Sequence, residues 1–353
     1  TLSMINYQTG LNGTYTIGGA SPDYTSFTAA INDLESRGVC GAVNFNVRYA
    51  AYNEQISIGA ISGVSASNEV TFQSDPNNVA QPELYFTPAA NLYVLEFDGA
   101  AWVTFDDIFI ESLNSGSGRV VSFTGANSNI TLKNCRIKSP GSSTTSANSA
   151  VIYDFSGVDN QSEHITIEDN TIEGGSYGIY FYGASTTNLQ DDLVIRNNTI
   201  DDFYYMGIYT YSSSNVEISD NTLEDNTSYT SPYGIRINYT DSSSVYNNDI
   251  TLNGTSTPYG IYIFNCDGSA ADPVLVYNNF VSIANPNITG SPTGLYAYRG
   301  MNNKIYYNTV VLQSGGTASE ALYLDYLTTN SVEVLNNSLV NYGNGYATYV
   351  SNN

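Results

Sequence analysis

Apolar and polar positions along this chain follow a short recurring motif rather than a helical period. The motif is apolar, any residue, Asn or Asp, Asn, any residue, apolar. It reads IEDNTI at Ile167 to Ile172, IRNNTI at Ile195 to Ile200 and ISDNTL at Ile218 to Leu223. VYNNDI (Val245 to Ile250), VYNNFV (Val276 to Val281), IYYNTV (Ile305 to Val310) and VLNNSL (Val334 to Leu339) continue it. Upstream, LKNCRI carries Cys135 in the Asn place and FDDIFI carries Ile108. The column formed by that place includes Asn170, Asn198, Asn221, Asn248, Asn279, Asn308 and Asn337, at a mean spacing of about 29 residues. A second column runs ahead of it in each repeat: YGIY at Tyr177, MGIY at Met206, YGIR at Tyr233, YGIY at Tyr259, TGLY at Thr293 and EALY at Glu320. Weaker copies are SAVI at Ser149 and YATY at Tyr346.

Such self-similarity means a solenoid or an array of repeats. No repeat contains an amphipathic helical stretch of ten or more residues. A repeat of about 29 residues is too short for a four-stranded propeller blade, which needs about 40, and the leucine-rich signature is absent. The pattern therefore predicts an all-β, right-handed parallel β-helix with three short strands per turn. Equivalent residues then stack at about 4.8 Å. Stacked Asn side chains in a sharp bend can hydrogen-bond along such a stack, which gives the Asn column a physical cause. Cys135 reads there as a small, buried and inert substitute.

The first sixty residues differ. TYTI at Thr14 to Ile17 reads as a strand, and Tyr24 to Ser36 reads as a helix with Phe27, Ala30, Ile31 and Leu34 on one face. Gly38 stands where a helix C-terminus wants positive φ. A strand at Ala42 to Val47 and the segment Tyr52-Asn53-Glu54-Gln55-Ile56 follow. Residues 1–60 are thus expected to cap the solenoid, with residues 61–353 forming the β-helix itself. A fresh turn begins at Ala347, so the C-terminal end is expected to be uncapped.

Composition narrows the function. The chain has 33 acidic and 10 basic residues, a net charge of -23, one histidine, three cysteines and 31 tyrosines. So acidic a chain lacks the basic patch that nucleic acid or an anionic membrane surface requires. No apolar run is long enough to span a bilayer. The single His164 rules out His-rich metal sites and is expected to face solvent at the start of a strand. Cys40, Cys135 and Cys266 show neither a disulfide framework nor zinc-ligand spacing. This Cys-poor, Lys-poor, Asn/Thr/Tyr-rich composition points to a secreted, extracellular or cell-surface location.

The stretches GTYTIGG, DYTSFTAAINDL, GVCGAVNFNV and YNEQISI, followed by the Asn repeats, resemble the pectin-lyase-like β-helix superfamily over nearly the whole chain. The N-terminal part is similar to the cap of pectin methylesterases. It is more similar still to β-helix modules in very large secreted surface proteins of Bacteroidota. Those resemble adhesins and fibre components and usually lack catalytic residues. Beyond YNEQI, none of the Asp and Arg motifs that the resemblance to methylesterases implies is present. Of the polygalacturonase motifs only Arg136-Ile137-Lys138 is matched, without a GHG, and its position accounts for it as the strand after an Asn bend. Uronate lyases need a cationic groove, and a charge of -23 opposes that.

Strand alternation puts Ile179 and Phe181 inward and Tyr180 and Tyr182 outward. The same columns give Tyr209 and Tyr211, Arg236 and Asn238, Tyr262 and Phe264, Tyr296 and Tyr298, then Tyr323 and Asp325. This aromatic stripe is the candidate contact surface, serving either stacking within the protein or binding. Its partners would be other copies or domains of the same large protein, a surface glycan or a protein target. A non-catalytic structural or adhesive module is the reading this favours. The other reading is a polysaccharide-active enzyme using Arg236 with Asp325 or Asp202. The acidic pairs Asp106-Asp107, Glu168-Asp169, Asp191-Asp192, Asp201-Asp202 and Glu224-Asp225 could supply oxygen ligands to Ca2+, but they do not fall in one column. No cofactor is otherwise implied. An ice- or mineral-binding face would need Thr in a fixed outward column, and none is expected.

Overall fold

The computed structural model describes residues 9–89, 92–116, 118–155, 161–186, 189–225, 229–326 and 332–351. They form three parallel sheets, two of twelve strands and one of eleven, in which each turn contributes one strand to each sheet. One turn runs Leu193–Arg196, Thr199–Asp201, Met206–Ser214, and the next repeats the order. We refer to the three as the pre-turn sheet, the post-turn sheet and the aromatic sheet, the Asn bend lying between the first two. The architecture is the right-handed parallel β-helix that the repeats predict. Turn length varies, with successive ladder Asn residues 23 to 31 positions apart.

The Asn column is a continuous amide ladder. Asn221 Nδ2 donates to Asn248 Oδ1 (3.0 Å) and to the Ile195 carbonyl (2.9 Å), and its backbone N–H donates to the same Asn248 oxygen (3.1 Å). The pattern repeats from Asn170 to Asn337. Each residue from Asn170 to Asn308 is essentially buried, so its four hydrogen-bonding sites must be satisfied from within the stack. Cys135 begins the column: its N–H donates to Asn170 Oδ1 (2.9 Å), and burial pushes its thiol pKa up to about 12, which leaves it inert. The residue before each ladder position has a left-handed backbone, as at Asp169 (φ 58°), Asn197 (φ 55°), Asp220 (φ 55°) and Asn247 (φ 56°). That is why the motif carries Asn or Asp there, since those side chains tolerate this region best. Tyr307 (φ 55°) is the exception.

Inside, columns of like side chains pack on themselves. Phe45, Phe72 and Phe105 stack with ring centroids 4.7 and 5.0 Å apart. The Gly178, Gly207, Gly234, Gly260 and Gly294 column has a different cause. A Cβ on Gly234 would lie 2.5 Å from Ile250 Cγ2 and 2.7 Å from the Gly260 carbonyl oxygen. At Gly234 the absence of a Cβ lets the aromatic sheet approach the post-turn sheet this closely.

The predicted helix forms at Phe27–Arg37, three residues later than its pattern began, and buries Phe27, Ala30, Ile31 and Leu34. Tyr24 instead makes a bridge to Ile17. Ser26 caps the helix by accepting from the Ala29 N–H (3.1 Å). The Glu54 carboxylate accepts from the Phe27 and Thr28 N–H groups (3.1 and 2.9 Å), placing negative charge at the helix N-terminus. Gly38 closes the helix at φ 66°.

One sequence expectation needs correction. Thr71, Thr104, Thr131 and Thr166 do form one outward column on the pre-turn sheet. Unequal loops disguise this register in the sequence. On the post-turn sheet, Glu173, Asp201 and Glu224 stand in register. Burial and the neighbouring carboxylates raise the Asp201 pKa. Among the described residues no group of three or more His, Cys, Asp or Glu is placed to hold a metal ion.

Two substitutions test this account by denaturant unfolding. Gly234→Val, which overpacks the seam between two sheets, is expected to cost at least about 1–3 kcal/mol. Tyr307→Asn, which relieves a left-handed aromatic residue, is expected to stabilise by about 1 kcal/mol.

Candidate functional site

The aromatic sheet presents three outward columns. Tyr177, Met206, Tyr233, Tyr259, Thr293 and Glu320 form the first. The second runs Tyr153, Tyr180, Tyr209, Arg236, Tyr262, Tyr296, Tyr323 and Tyr349. The third runs Phe155, Tyr182, Tyr211, Asn238, Phe264, Tyr298 and Asp325. The residues expected from the sequence, Tyr180, Tyr182, Tyr209, Tyr211, Arg236, Tyr262, Phe264, Tyr296, Tyr298 and Tyr323, thus all share one face.

Rings on this face pack chiefly against one another. Tyr182 lies flat on Tyr211 with centroids 4.2 Å apart, Tyr153 on Tyr180 at 5.3 Å and Phe264 on Tyr298 at 4.8 Å. Each such contact adds about 0.5–1.5 kcal/mol beyond the area buried. The stacking covers Tyr180 and Tyr209, each only 9% exposed, so these two are not the open surface that alternation implied. With Tyr177, Met206 and Ala150 they form a small apolar cluster outside the main core. Desolvation there raises the pKa of Tyr177, Tyr180 and Tyr209, which keeps these phenols protonated.

Arg236 sits within the tyrosines. Its guanidinium carbon is 4.9 Å from the Tyr262 ring centroid, 5.1 Å from Tyr233 and 5.7 Å from Tyr209. Its Nε donates to Asn238 Oδ1 (3.2 Å). Among the described residues it makes no ion pair. Asp325, the carboxylate expected beside it, instead accepts from the Tyr296 hydroxyl (3.0 Å). Asp202 follows Thr199–Asp201 of the post-turn sheet, off the aromatic face altogether. Arg136 and Lys138 are also on that sheet, paired with Glu173 (2.9 Å) and Glu111 (3.0 Å), so the RIK tripeptide has a structural explanation.

Toward the C-terminal turns the face opens into a groove of about 490 Å³ lined by Tyr259, Tyr262, Tyr296, Tyr323, Tyr346, Tyr349 and Glu320. Glu320 is nearly buried, and desolvation raises its pKa to about 7 against the opposing Thr293 hydroxyl. The sequence pattern did not single out Tyr153, Tyr177, Tyr233, Tyr259, Tyr349 or Glu320. Strict alternation would turn Tyr177 inward. The strand bends at Gly178, so that Gly178 and Ile179 are both inward and Tyr177 shares the outer face with Tyr180. The Gly in each GIY motif was the available signal for this bend.

Residues 121–282 match the family model described as right handed beta helix region. No curated protein matches the chain in sequence. Among solved structures it is similar to the GH136 lacto-N-biosidase of Eubacterium ramulus, with a TM-score of 0.60 and 10% identity over 96% of this chain and 68% of that one. It is also similar to PfbA, a surface adhesin of Streptococcus pneumoniae (TM-score 0.54, 13% identity, 92% and 89% covered). A third is the A-module of the Azotobacter vinelandii mannuronan C-5 epimerase AlgE6 (TM-score 0.53, 13% identity, 92% of each). The fold is a right-handed parallel β-helix. At these identities the likeness concerns the backbone, and the fold hosts both adhesion and sugar chemistry. No helix of the described residues is long and apolar enough to cross a membrane.

Because the folded state raises the Glu320 pKa to about 7 from its ordinary value of 4.5, folding takes up a proton. Stability should therefore fall as pH rises from about 4.5 through 7. Glu320→Gln is expected to flatten that fall, and to raise stability by about 1–3 kcal/mol at pH 8. Urea unfolding across pH 4 to 8 measures both.

Proposed function

We propose that this β-helix is a non-catalytic structural or adhesive domain of a larger secreted or cell-surface protein, and that its tyrosine face is the contact surface. The observation that carries this reading is Arg236. Its guanidinium is embedded among tyrosine rings without an ion-pair partner among the described residues, and Arg119 and Arg299 likewise lie over the Tyr153 and Tyr298 rings, so the arginines of this face serve the aromatic surface. The face is a rigid amphipathic platform. Ring faces offer apolar area and phenol tips offer hydrogen bonds, a combination suited to contact with a neighbouring chain or a surface glycan. One neighbour in fold, a surface adhesin, accords with this.

A polysaccharide-active enzyme is the second reading, favoured by Glu320 held near pKa 7 in a tyrosine-lined groove, as a general acid would be. Its outward carboxylate companion on the same strand, Asp325, is five residues away, about 16 Å along the strand. Paired glycosidase carboxylates stand roughly 5–9.5 Å apart. Two neighbours in fold, the lacto-N-biosidase and the epimerase, keep this reading in view.

The test is adsorption to insoluble polysaccharides and self-association by sedimentation, both alongside product analysis. Binding or self-association without product is expected, weakened at least tenfold in Tyr262→Ala/Tyr296→Ala, a loss of about 1.4 kcal/mol or more. Product release from any polysaccharide, abolished by Glu320→Gln, would replace this reading with the enzymatic one.

A further inference from the structure

The bend between the aromatic and pre-turn sheets places a residue of most turns in the left-handed region. Asn129 (φ 55°), Asp192 (φ 55°), Asn215 (φ 52°), Ser242 (φ 48°) and Asn302 (φ 52°) occupy it, small polar residues that accept this backbone. Trp102 (φ 56°) and His164 (φ 53°) break the rule. They are the single tryptophan and the single histidine of the chain. Both wall the same trough of about 430 Å³ on the outer face of the pre-turn sheet. Trp102 is bulky where this backbone disfavours bulk, and its place beside the histidine on one surface feature points to a use for them.

We infer that this trough binds a neutral oligosaccharide chain. Its floor is the Thr104, Thr131 and Thr166 column, a row of methyl and hydroxyl groups repeating at about 4.8 Å. The Trp102 side chain is partly exposed and meets no other aromatic ring among the described residues, so its face is available to stack on a sugar ring. His164 Nδ1 lies 2.8 Å from Asp192 Oδ2, a contact that orients the imidazole and leaves Nε2 without a partner among the described residues. Glu217 is held by the Tyr246 hydroxyl (2.8 Å) and Ser219 (2.9 Å), both on Oε1. Polar groups positioned in advance beside an exposed ring suit the hydroxyls and the C–H face of a sugar.

Charge selects among sugars. Glu69, Asp192 and Glu217 line the trough against one imidazole, so uronates, sulfated glycans and phosphates are repelled. From Glu69 to Asn215 the trough crosses five turn spacings, about 24 Å, which fits a chain rather than a single ring. This site lies on a different sheet from the tyrosine face and does not depend on how that face is used.

Trp102 provides its own readout. Selective tryptophan excitation of the intact chain is followed while hexasaccharides of β-1,4-glucan, α-1,4-glucan, β-1,4-mannan and N-acetylated chitin are titrated in turn, with hexagalacturonate as the anionic control. A saturable emission change is expected with at least one neutral chain and not with hexagalacturonate. By calorimetry, Trp102→Asn, which restores the residue type that the bend prefers, should fold as well as the parent and bind at least tenfold more weakly. His164→Ala should weaken binding about tenfold. Tyr262→Ala/Tyr296→Ala should leave the titration unchanged. The inference is overturned if no neutral hexasaccharide gives saturation in the millimolar range, if hexagalacturonate binds equally, or if Trp102→Asn binds as tightly as the parent.

Discussion

Each strand residue inside the described sheets stands about 4.8 Å above and below residues in equivalent places, so each column must be compatible with itself. The rest of the structure follows from that constraint. Asn satisfies it by being donor and acceptor at once, which makes an unbroken buried ladder possible. Phe and Tyr satisfy it by offset stacking, inside and outside the solenoid respectively. Charge satisfies it only by alternating: Asp106, Lys133, Glu168 and Arg196 are consecutive members of one column and pair across it. Where three carboxylates follow one another instead, at Glu173, Asp201 and Glu224, the middle one is driven toward its protonated form. The low charge content of the chain is therefore a consequence of its architecture.

What could be read from the sequence was whatever recurs with its own local signature. The Asn column announced itself because the ladder residue and the left-handed residue before it are both restricted in type. The helix near the N-terminus was visible because Phe27, Ala30, Ile31 and Leu34 carry a helical period. Inward Ile and outward Tyr in the GIY strands followed from alternation. Two things did not follow. The bend at Gly178 defeats alternation and brings Tyr177 to the outer face. The Thr71 to Thr166 column and the Trp102 trough depend on register between turns whose loops differ in length, and register cannot be counted through such loops. His164 was expected only to face solvent. It is exposed, but its bond to Asp192 joins residues that are 28 positions apart in sequence and one turn apart in space.

The three faces have separate characters. The post-turn sheet carries the acidic run and the Arg136 and Lys138 ion pairs, the aromatic sheet carries the tyrosines with their embedded arginines, and the pre-turn sheet carries the column of alternating charge beside threonines, tryptophan and histidine. A solenoid permits this because the inward columns hold the turn together whatever the outward columns display. Hence one fold serves proteins as different as an adhesin and an epimerase, and the outward residues, not the backbone, must be read for activity.

The amide ladder also bears on how the molecule carries load. Its hydrogen bonds, like those of all three sheets, point along the solenoid axis, and each strand is bonded to the strands of the neighbouring turns. Tension applied along the axis through the two ends therefore peels one turn at a time, so the force at any moment is resisted by a single set of rungs. A pull applied sideways to a face is spread over many turns, each braced by the buried Asn spine. Mechanically, the flanks of this protein are its strong anchorage and its ends are where it unravels.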